Sequence, residues 1–232
     1  MADSGVRMEL VGKTSERKTR RHVPRLTRGE QGLEPTRGAW PVAAGSALQC
    51  EVCQSKAGSC SGPLQPCAPS EGTCVAAVAE FNLEENSFSY AAKSCLEPES
   101  CEPGPFTVTS TRNNTVRVNI ACCNTDGCNA GAIPVPTVSS VPNGRQCPSC
   151  FAMGADRCQD MEPLACTGAE DHCIDIAGTL TLGNETLTRA ATGCGSPGAC
   201  GMRVGVKKYA QGVVDVLSRA ECDPAPWAGG DL

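Results

Sequence analysis

The sequence predicts a small, all-β, disulfide-rich fold built from two tandem domains, and three observations support this. Cysteine supplies 18 of the 232 residues, about 8 % of the chain, which is close to the level of a disulfide scaffold. The aromatic residues are only eight, too few for two hydrophobic cores of ordinary size. The spacing of the cysteines also repeats once along the chain. Covalent crosslinks must therefore replace part of the core, and their number implies an oxidising compartment.

The repeat appears in the intervals between cysteines. From Cys50 the steps are 3, 7, 7, 7, 21, 6 and 21, and from Cys147 they are 3, 8, 8, 7, 21, 6 and 22. Agreement within one residue at every step indicates a tandem duplication, in which the second copy lacks counterparts of Cys123 and Cys128. We expect five segments: a non-globular N-terminal segment (1–47), a first domain (48–129), a proline-containing linker (130–146), a second domain (147–223) and a C-terminal tail (224–232).

Alternating apolar and polar residues between the cysteines predict strands arranged as hairpins. In the first copy the turns of these hairpins fall at NLEENS (82–87) and RNN (112–114). In the second copy they fall at GNE (183–185) and AQG (210–212). Neither copy shows the pattern of an amphipathic helix, so each domain is predicted to be a cysteine-rich base from which hairpins project.

The ends of the chain bear on its location. Residues 1–49 carry a net charge of +4 and the remainder −9, of a total of −5, which argues against a nucleic-acid partner. The small residues before Leu48 resemble the end of a signal peptide cleaved after Ala47, so we interpret residues 1–39 as an atypical start. The alternative, a nuclear-localisation run in RKTRR (17–21), conflicts with so many cysteines that need to pair. The C-terminus lacks the hydrophobic tail of a lipid anchor.

The stretch CCNTDGCN (122–129) has three possible explanations. A zinc site is suggested by two CxxC pairs, but nine disulfides account for all 18 cysteines, and His172 is the sole histidine after residue 49. A catalytic centre is suggested by a partial likeness to the CC…HD…C motif of secreted phospholipases A2, but the histidine is missing. Asp171 beside His172 gives no triad geometry. We therefore expect a structural disulfide at this stretch, with no catalytic residues, no metal and no cofactor.

The two CxxC starts and the ending CCNTDGCN resemble the Ly-6/uPAR domain, the three-finger fold. The resemblance covers residues 48–129 with ten cysteines and 146–223 with eight, and it implies two tandem three-finger domains. In the first domain it implies the pairs Cys50–Cys74, Cys53–Cys60, Cys67–Cys95, Cys101–Cys122 and Cys123–Cys128. In the second domain it implies the pairs Cys147–Cys173, Cys150–Cys158, Cys166–Cys194 and Cys200–Cys222. It also implies that Asn129 bonds to the backbone of the base.

The joint VPNGRQCP (141–148), the stretch CIDIAG (173–178) and the pattern of ten plus eight cysteines are similar to gamma-type phospholipase A2 inhibitors. Their vertebrate relatives are the phospholipase A2 inhibitor and Ly-6/PLAUR domain-containing proteins. This resemblance implies a secreted, unanchored binding protein whose partner is a secreted phospholipase A2 or another extracellular protein. The alternative is a uPAR-like ligand-binding module in adhesion or signalling. A homo-oligomer is compatible with either.

Candidate surface residues lie at the predicted hairpin tips. Asn113 and Asn184 stand in N-glycosylation sequons at two tips, where the acceptor is expected to be exposed. A third tip combines acids with aromatics, and it predicts a partner-binding site at Glu84, Glu85, Phe88 and Tyr90. The alternative for the aromatics is packing against the neighbouring finger.

Overall fold

The computed structural model describes residues 47–83 and 86–229, which form thirteen strands and two short 3-10 helices. The first domain contains β1 (Gln49–Glu51), β2 (Cys53–Ser55), β3 (Leu64–Pro66), β4 (Thr73–Leu83), β5 (Asn86–Leu96), β6 (Gly104–Thr111) and β7 (Asn114–Cys123). The second contains β8 (Pro142–Met153), β9 (Glu162–Thr167), β10 (His172–Leu182), β11 (Glu185–Gly195), β12 (Gly205–Ala210) and β13 (Val213–Pro224). The 3-10 helices are Pro98–Ser100 and Pro197–Gly201. Within these ranges there is no helix long and apolar enough to cross a bilayer.

The predicted all-β, duplicated, three-finger architecture is confirmed. The four predicted hairpins are the antiparallel pairs β4–β5, β6–β7, β10–β11 and β12–β13. In each domain the central strand, β4 or β10, lies between its hairpin partner and the last strand of the domain. The shorter first finger pairs with the same outer strand in both copies, β2 with β5 and β8 with β11.

The two domains are joined through their sheets. Strand β6 of the first domain pairs antiparallel with β11 of the second, where Val108 lies opposite Gly195. This approach requires glycine, because a Cβ atom on Gly193 would lie 2.1 Å from the carbonyl oxygen of Thr109. The fingers of both copies therefore belong to one eleven-stranded sheet.

The two domains also meet at the other end of this sheet. The backbone N–H of Gln211, at the tip of the last finger, donates to Ser94 Oγ on β5 at 2.9 Å. Lys56, beyond β2, forms an ion pair with Glu185 at the start of β11. The sheet therefore curves so that β12, at one end of the strand order, contacts β5 near the other end. The inner faces of both domains enclose a common interior.

This interior holds a core that crosses the domain boundary, which explains how so few aromatic residues suffice. One buried cluster combines residues of both domains: Val75, Phe81, Tyr90, Ala92, Leu96 and Ile120 with Leu180, Ala210 and Val213. A second combines Val108 with Ile174, Ile176, Ala191, Ala199 and Leu217. Two smaller clusters at the bases consist mainly of disulfide sulfur and Cβ atoms. The two domains compensate for their few large apolar groups by sharing them in a common core and by disulfide crosslinks.

The predicted linker is packed against the first domain for part of its length. Asn119 Nδ2 donates to the carbonyl of Pro134 at 2.7 Å, and Arg117 Nη1 to that of Pro136 at 3.4 Å, so the linker lies along the outer side of β7. Strand β8 begins at Pro142, so residues 142–146 belong to the second domain rather than to the linker.

The predicted C-terminal tail is also part of the second domain. Strand β13 extends to Pro224, and the backbone N–H of Ala225 then donates to the carbonyl of Asp171 at 2.9 Å. The guanidinium of Arg145 lies 4.7 Å from the ring centroid of Trp227, a cation–π contact. These non-covalent contacts close the base of the copy that lacks the fifth disulfide.

Candidate functional site

The stretch CCNTDGCN closes the base of the first domain. Cys123 is bonded to Cys128, and the side chain of Asn129 is buried beside this loop. Its Oδ1 accepts from the N–H of Glu51 at 2.9 Å, and its Nδ2 donates to the carbonyls of Glu51 at 2.9 Å and Val75 at 3.0 Å. One amide thus ties the first finger to the second, so this stretch has a structural role.

The cysteines offer no thiolate for metal binding or catalysis. The structure contains nine disulfides, in the pairs implied by the family resemblance, and no free cysteine among the described residues. The sulfurs of Cys50, Cys67 and Cys95 lie within 4.8 Å of one another, but all three are in disulfides. A disulfide sulfur lacks the charge that makes a thiolate a metal ligand or nucleophile.

Two buried acids differ in their electrostatics. Glu51 Oε2 accepts from Lys93 Nζ at 2.7 Å in the base of the first domain, and this hydrogen bond lowers the pKa of Glu51. Glu170 lies at the domain junction, where Oε1 accepts from Thr109 Oγ1 at 3.0 Å. Its Oε2 has no hydrogen-bond partner within the described ranges, and burial raises the pKa of Glu170. The first carboxylate has a cationic partner that favours its charged form, whereas the second has only threonine hydroxyls, which do not offset its burial.

The tip of the second finger in the first domain is the exposed part of the predicted partner site. Phe88 stacks on Phe81 with ring centroids 4.7 Å apart, and 37 % of Phe88 remains accessible while Phe81 is buried. Glu84 and Glu85 lie between Leu83 and Asn86 in the sequence and fall outside the described residues. The structure therefore provides one exposed ring, supported from below by a second.

Tyr90 does not belong to this surface, which corrects the assignment made from the sequence. Only 6 % of the residue is accessible, and the ring packs in the cluster shared with Leu180 and Val213 of the second domain. Its hydroxyl donates to Gln54 Oε1 at 2.7 Å, and burial raises its pKa. The alternation of residues along β5 correctly predicts that one face of this strand is buried. The residues that cover this face come from the second domain.

The two sequons occupy exposed turns. Asn113 precedes β7, and Asn184 lies in the turn between β10 and β11. The turn at Asn184 is next to the first domain, because its neighbour Glu185 forms the ion pair with Lys56. Both acceptors are accessible, and their glycosylation stays a prediction.

A different exposed surface is found on the outer side of the second domain. Val206 on β12 lies directly opposite Val216 on β13, and both are accessible. The corresponding outer side of the first domain carries the linker and the ion pair between Arg117 and Glu80. This apolar strip was not recognised in the sequence, because alternation alone does not show which face of a strand is covered.

The comparisons with known proteins agree with this architecture. The family model of the u-PAR/Ly-6 domain matches residues 46–131 and 143–222. The chain is 34 % identical over 129 residues to the phospholipase A2 inhibitor 31 kDa subunit of Naja kaouthia, covering 56 % of this chain and 68 % of that protein. It is 28 % identical over 188 residues to the phospholipase A2 inhibitor NAI of Notechis ater, covering 79 % and 90 %.

A receptor and a solved structure also match. Identity to the urokinase plasminogen activator surface receptor of Bos taurus is 33 % over 159 residues, which is 66 % of this chain and 46 % of that receptor. The crystal structure of mouse TEX101 matches over 78 % of this chain and 100 % of its own, with a TM-score of 0.39 and 19 % identity.

Proposed function

Because the chain belongs to the u-PAR/Ly-6 family, we propose that it is an extracellular, non-enzymatic binding protein that inhibits a secreted phospholipase A2 by sequestering it. The observation that carries this proposal is the similarity to a phospholipase A2 inhibitor over 90 % of that inhibitor's length, which includes both domains. A match to one domain alone would support the fold and no particular partner.

The cysteine chemistry supports an extracellular location. All described cysteines are in disulfides, and such crosslinks persist outside the cell and in the secretory pathway rather than in the reducing cytosol. The crosslinked bases hold the fingers in place, so the binding surface is pre-organised and little conformational entropy is lost on association.

The second fingertip of the first domain is the partner site in this proposal. Phe88 offers an exposed aromatic ring, and aromatic rings are common anchors of protein interfaces. Glu84 and Glu85 add negative charge close to Phe88 in the sequence, and residues 50–232 are acidic as a whole. Such a surface attracts a basic partner over long range and then binds it through the ring.

The proposal is tested with the secreted, glycosylated chain and a panel of purified secreted phospholipases A2. Hydrolysis of phosphatidylcholine vesicles and surface plasmon resonance are measured in parallel, with the reduced and alkylated chain as the matched control. We expect at least one enzyme to bind the native chain and lose activity in proportion to occupancy. Absence of binding across the panel would contradict the proposal.

A second candidate function is a uPAR-like module that binds an extracellular ligand in adhesion or signalling. The specific observation in its favour is 33 % identity to the bovine receptor over 159 residues. The same binding measurements separate the two functions, because this module would bind an extracellular protein without binding or inhibiting any phospholipase A2.

A further inference from the structure

A cleft of about 360 Å³ lies in the seam between the two domains, away from the second fingertip. The first domain contributes residues 101–106 and Ile120, and the second contributes Gly198, Gly201, Met202 and Tyr209. Small-molecule sites have volumes of roughly 300–1,000 Å³ and are frequent at domain interfaces. The size and position of the cleft are therefore those of a ligand site.

The cleft adjoins a second space inside the curved sheet. This inner cavity has a volume of about 100 Å³. Four side chains border both spaces and separate them: Phe106, Ile120, Met202 and Tyr209. A methionine side chain is flexible and adapts readily to a neighbour, so the wall between cleft and cavity is deformable.

The inner cavity is predominantly apolar. Its walls are mainly apolar side chains of both domains, and its polar groups are Ser110, two tyrosines and the ion pair between Arg189 and Asp215. That pair is bidentate, with N–O distances of 3.0 and 2.7 Å, so each charge is already neutralised and neither needs a ligand. An apolar cavity of roughly 150 Å³ binds benzene, so this smaller one suits the end of an alkyl chain.

The outer rim of the cleft is charged. Glu102 Oε1 lies 2.8 Å from Lys207 Nζ, and 58 % of the glutamate side chain is accessible. The pair thus places an exposed carboxylate and a half-buried ammonium group beside the apolar walls.

We propose that the cleft and cavity together bind an amphiphile with one hydrocarbon chain and a zwitterionic head, such as a lysophospholipid. The chain occupies the apolar cleft, and its end reaches the inner cavity when the flexible side chain of Met202 moves aside. The head stays at the rim, where its cationic group faces Glu102 and its phosphate faces Lys207. This site does not involve Phe88, so it stands or fails independently of phospholipase A2 inhibition.

The first test uses the full wild-type chain and alkylphosphocholines below their critical micelle concentrations, measured by isothermal titration calorimetry. We expect one ligand per chain, with affinity rising about fourfold for each added methylene until the cavity is filled. Phosphocholine without a chain should not bind. Affinity that does not depend on chain length, or absence of binding by dodecylphosphocholine, would overturn the proposal.

The second test blocks the cleft without straining the backbone. A Cβ atom on Gly201 would lie 3.6 Å from Glu102 Oε2, an ordinary contact, and the φ of Gly201 is not positive. Gly201→Phe should therefore place a ring across the cleft and weaken binding of dodecylphosphocholine about tenfold or more. The matched control is Gly58→Phe on the first finger, where nothing lies within 4 Å of the added atom. Equal binding by the two folded variants would overturn the proposal.

Discussion

The second fingers of the two domains descend from the same duplicated hairpin, yet their tips are used differently. In the first domain the tip carries Phe88, which is exposed on top of Phe81. In the second domain the tip carries Gly183 and Glu185, which contact Tyr90 and Lys56 of the first domain. The tip of the second domain therefore joins the domains, and we propose that the exposed tip of the first domain, here called the free tip, binds a partner.

The residues at the docked tip fit this role. Gly183 has a φ of +64°, and a Cβ atom there would lie 3.1 Å from the hydroxyl of Tyr90. Glycine therefore permits both the turn and the close approach. Contacts between the domains, and not only the sequence of a finger, therefore decide which tip is exposed.

The largest expected effect comes from Tyr90→Ala. Removing a buried aromatic ring from the shared core should lower the free energy of unfolding by about 3 kcal/mol. Tyr90→Phe is the matched control and should cost about 1 kcal/mol, because it removes only the hydrogen bond to Gln54. Urea unfolding with intact disulfides, followed by circular dichroism, measures both. Unchanged stability of Tyr90→Ala would show that the ring is not part of the core.

A smaller effect is expected from Gly183→Ala at the docked tip. The left-handed backbone alone costs about 1–2 kcal/mol for a residue with a Cβ atom. Gly154→Ala is the control, since its φ is +73° and nothing lies within 4 Å of the added atom. The excess cost at Gly183, measured in the same unfolding experiment, reports the contact with Tyr90. Equal costs at both positions would mean that the tip is not closely docked.

The pH dependence of stability compares the two buried acids. The folded-state pKa of Glu170 is raised, so its contribution is favourable at low pH and is lost as the pH rises through that pKa. Glu51 has a lowered pKa, so its contribution is favourable above the unfolded pKa and is lost as the pH falls. Glu170→Gln should therefore stabilise the protein at pH 7 relative to pH 4, and Glu51→Gln should do the reverse. Melting temperatures of both variants across this range check the signs.

The smallest effect on stability is expected from the double change Glu84→Lys and Glu85→Lys at the free tip. The sequence predicts these acids at a hairpin tip, where charges contribute little to folding, so the melting temperature should be unaltered. Association with a phospholipase A2 should slow, and its dependence on salt should flatten, because long-range attraction is reduced. Stopped-flow association at several ionic strengths measures this. Unaltered association kinetics in a folded double variant would remove these acids from the interface.

Most of the fold could be predicted from the sequence. Alternating residues such as Val116, Val118 and Ile120 mark the hairpins, and the cysteine intervals show the duplication. The joining of the sheets at Val108 and Gly195 could not be predicted, because alternation shows that a face is buried but not what covers it. Tyr90 was misassigned to the partner site for the same reason.

The base of the second domain also contains contacts that could not be predicted from the sequence. The cysteine pattern showed that a disulfide is missing there, but the replacement is a set of weak contacts involving Ala225 and Trp227. Such contacts have no sequence signature, because every residue except proline has a backbone N–H that can donate a hydrogen bond. The glycines that allow close approach, Gly193 and Gly183, can be interpreted only once their neighbours are known.

The free tip of the first domain is the proposed partner site. The most direct measurement is the dissociation rate of a secreted phospholipase A2 from Phe88→Ala, with Leu64→Ala as the control, because Leu64 is an exposed apolar residue on the first finger. Phe88→Ala should dissociate about tenfold faster, as expected for loss of an aromatic anchor, whereas Leu64→Ala should behave as wild type. Equal dissociation rates for the wild type and a correctly folded Phe88→Ala would contradict the claim.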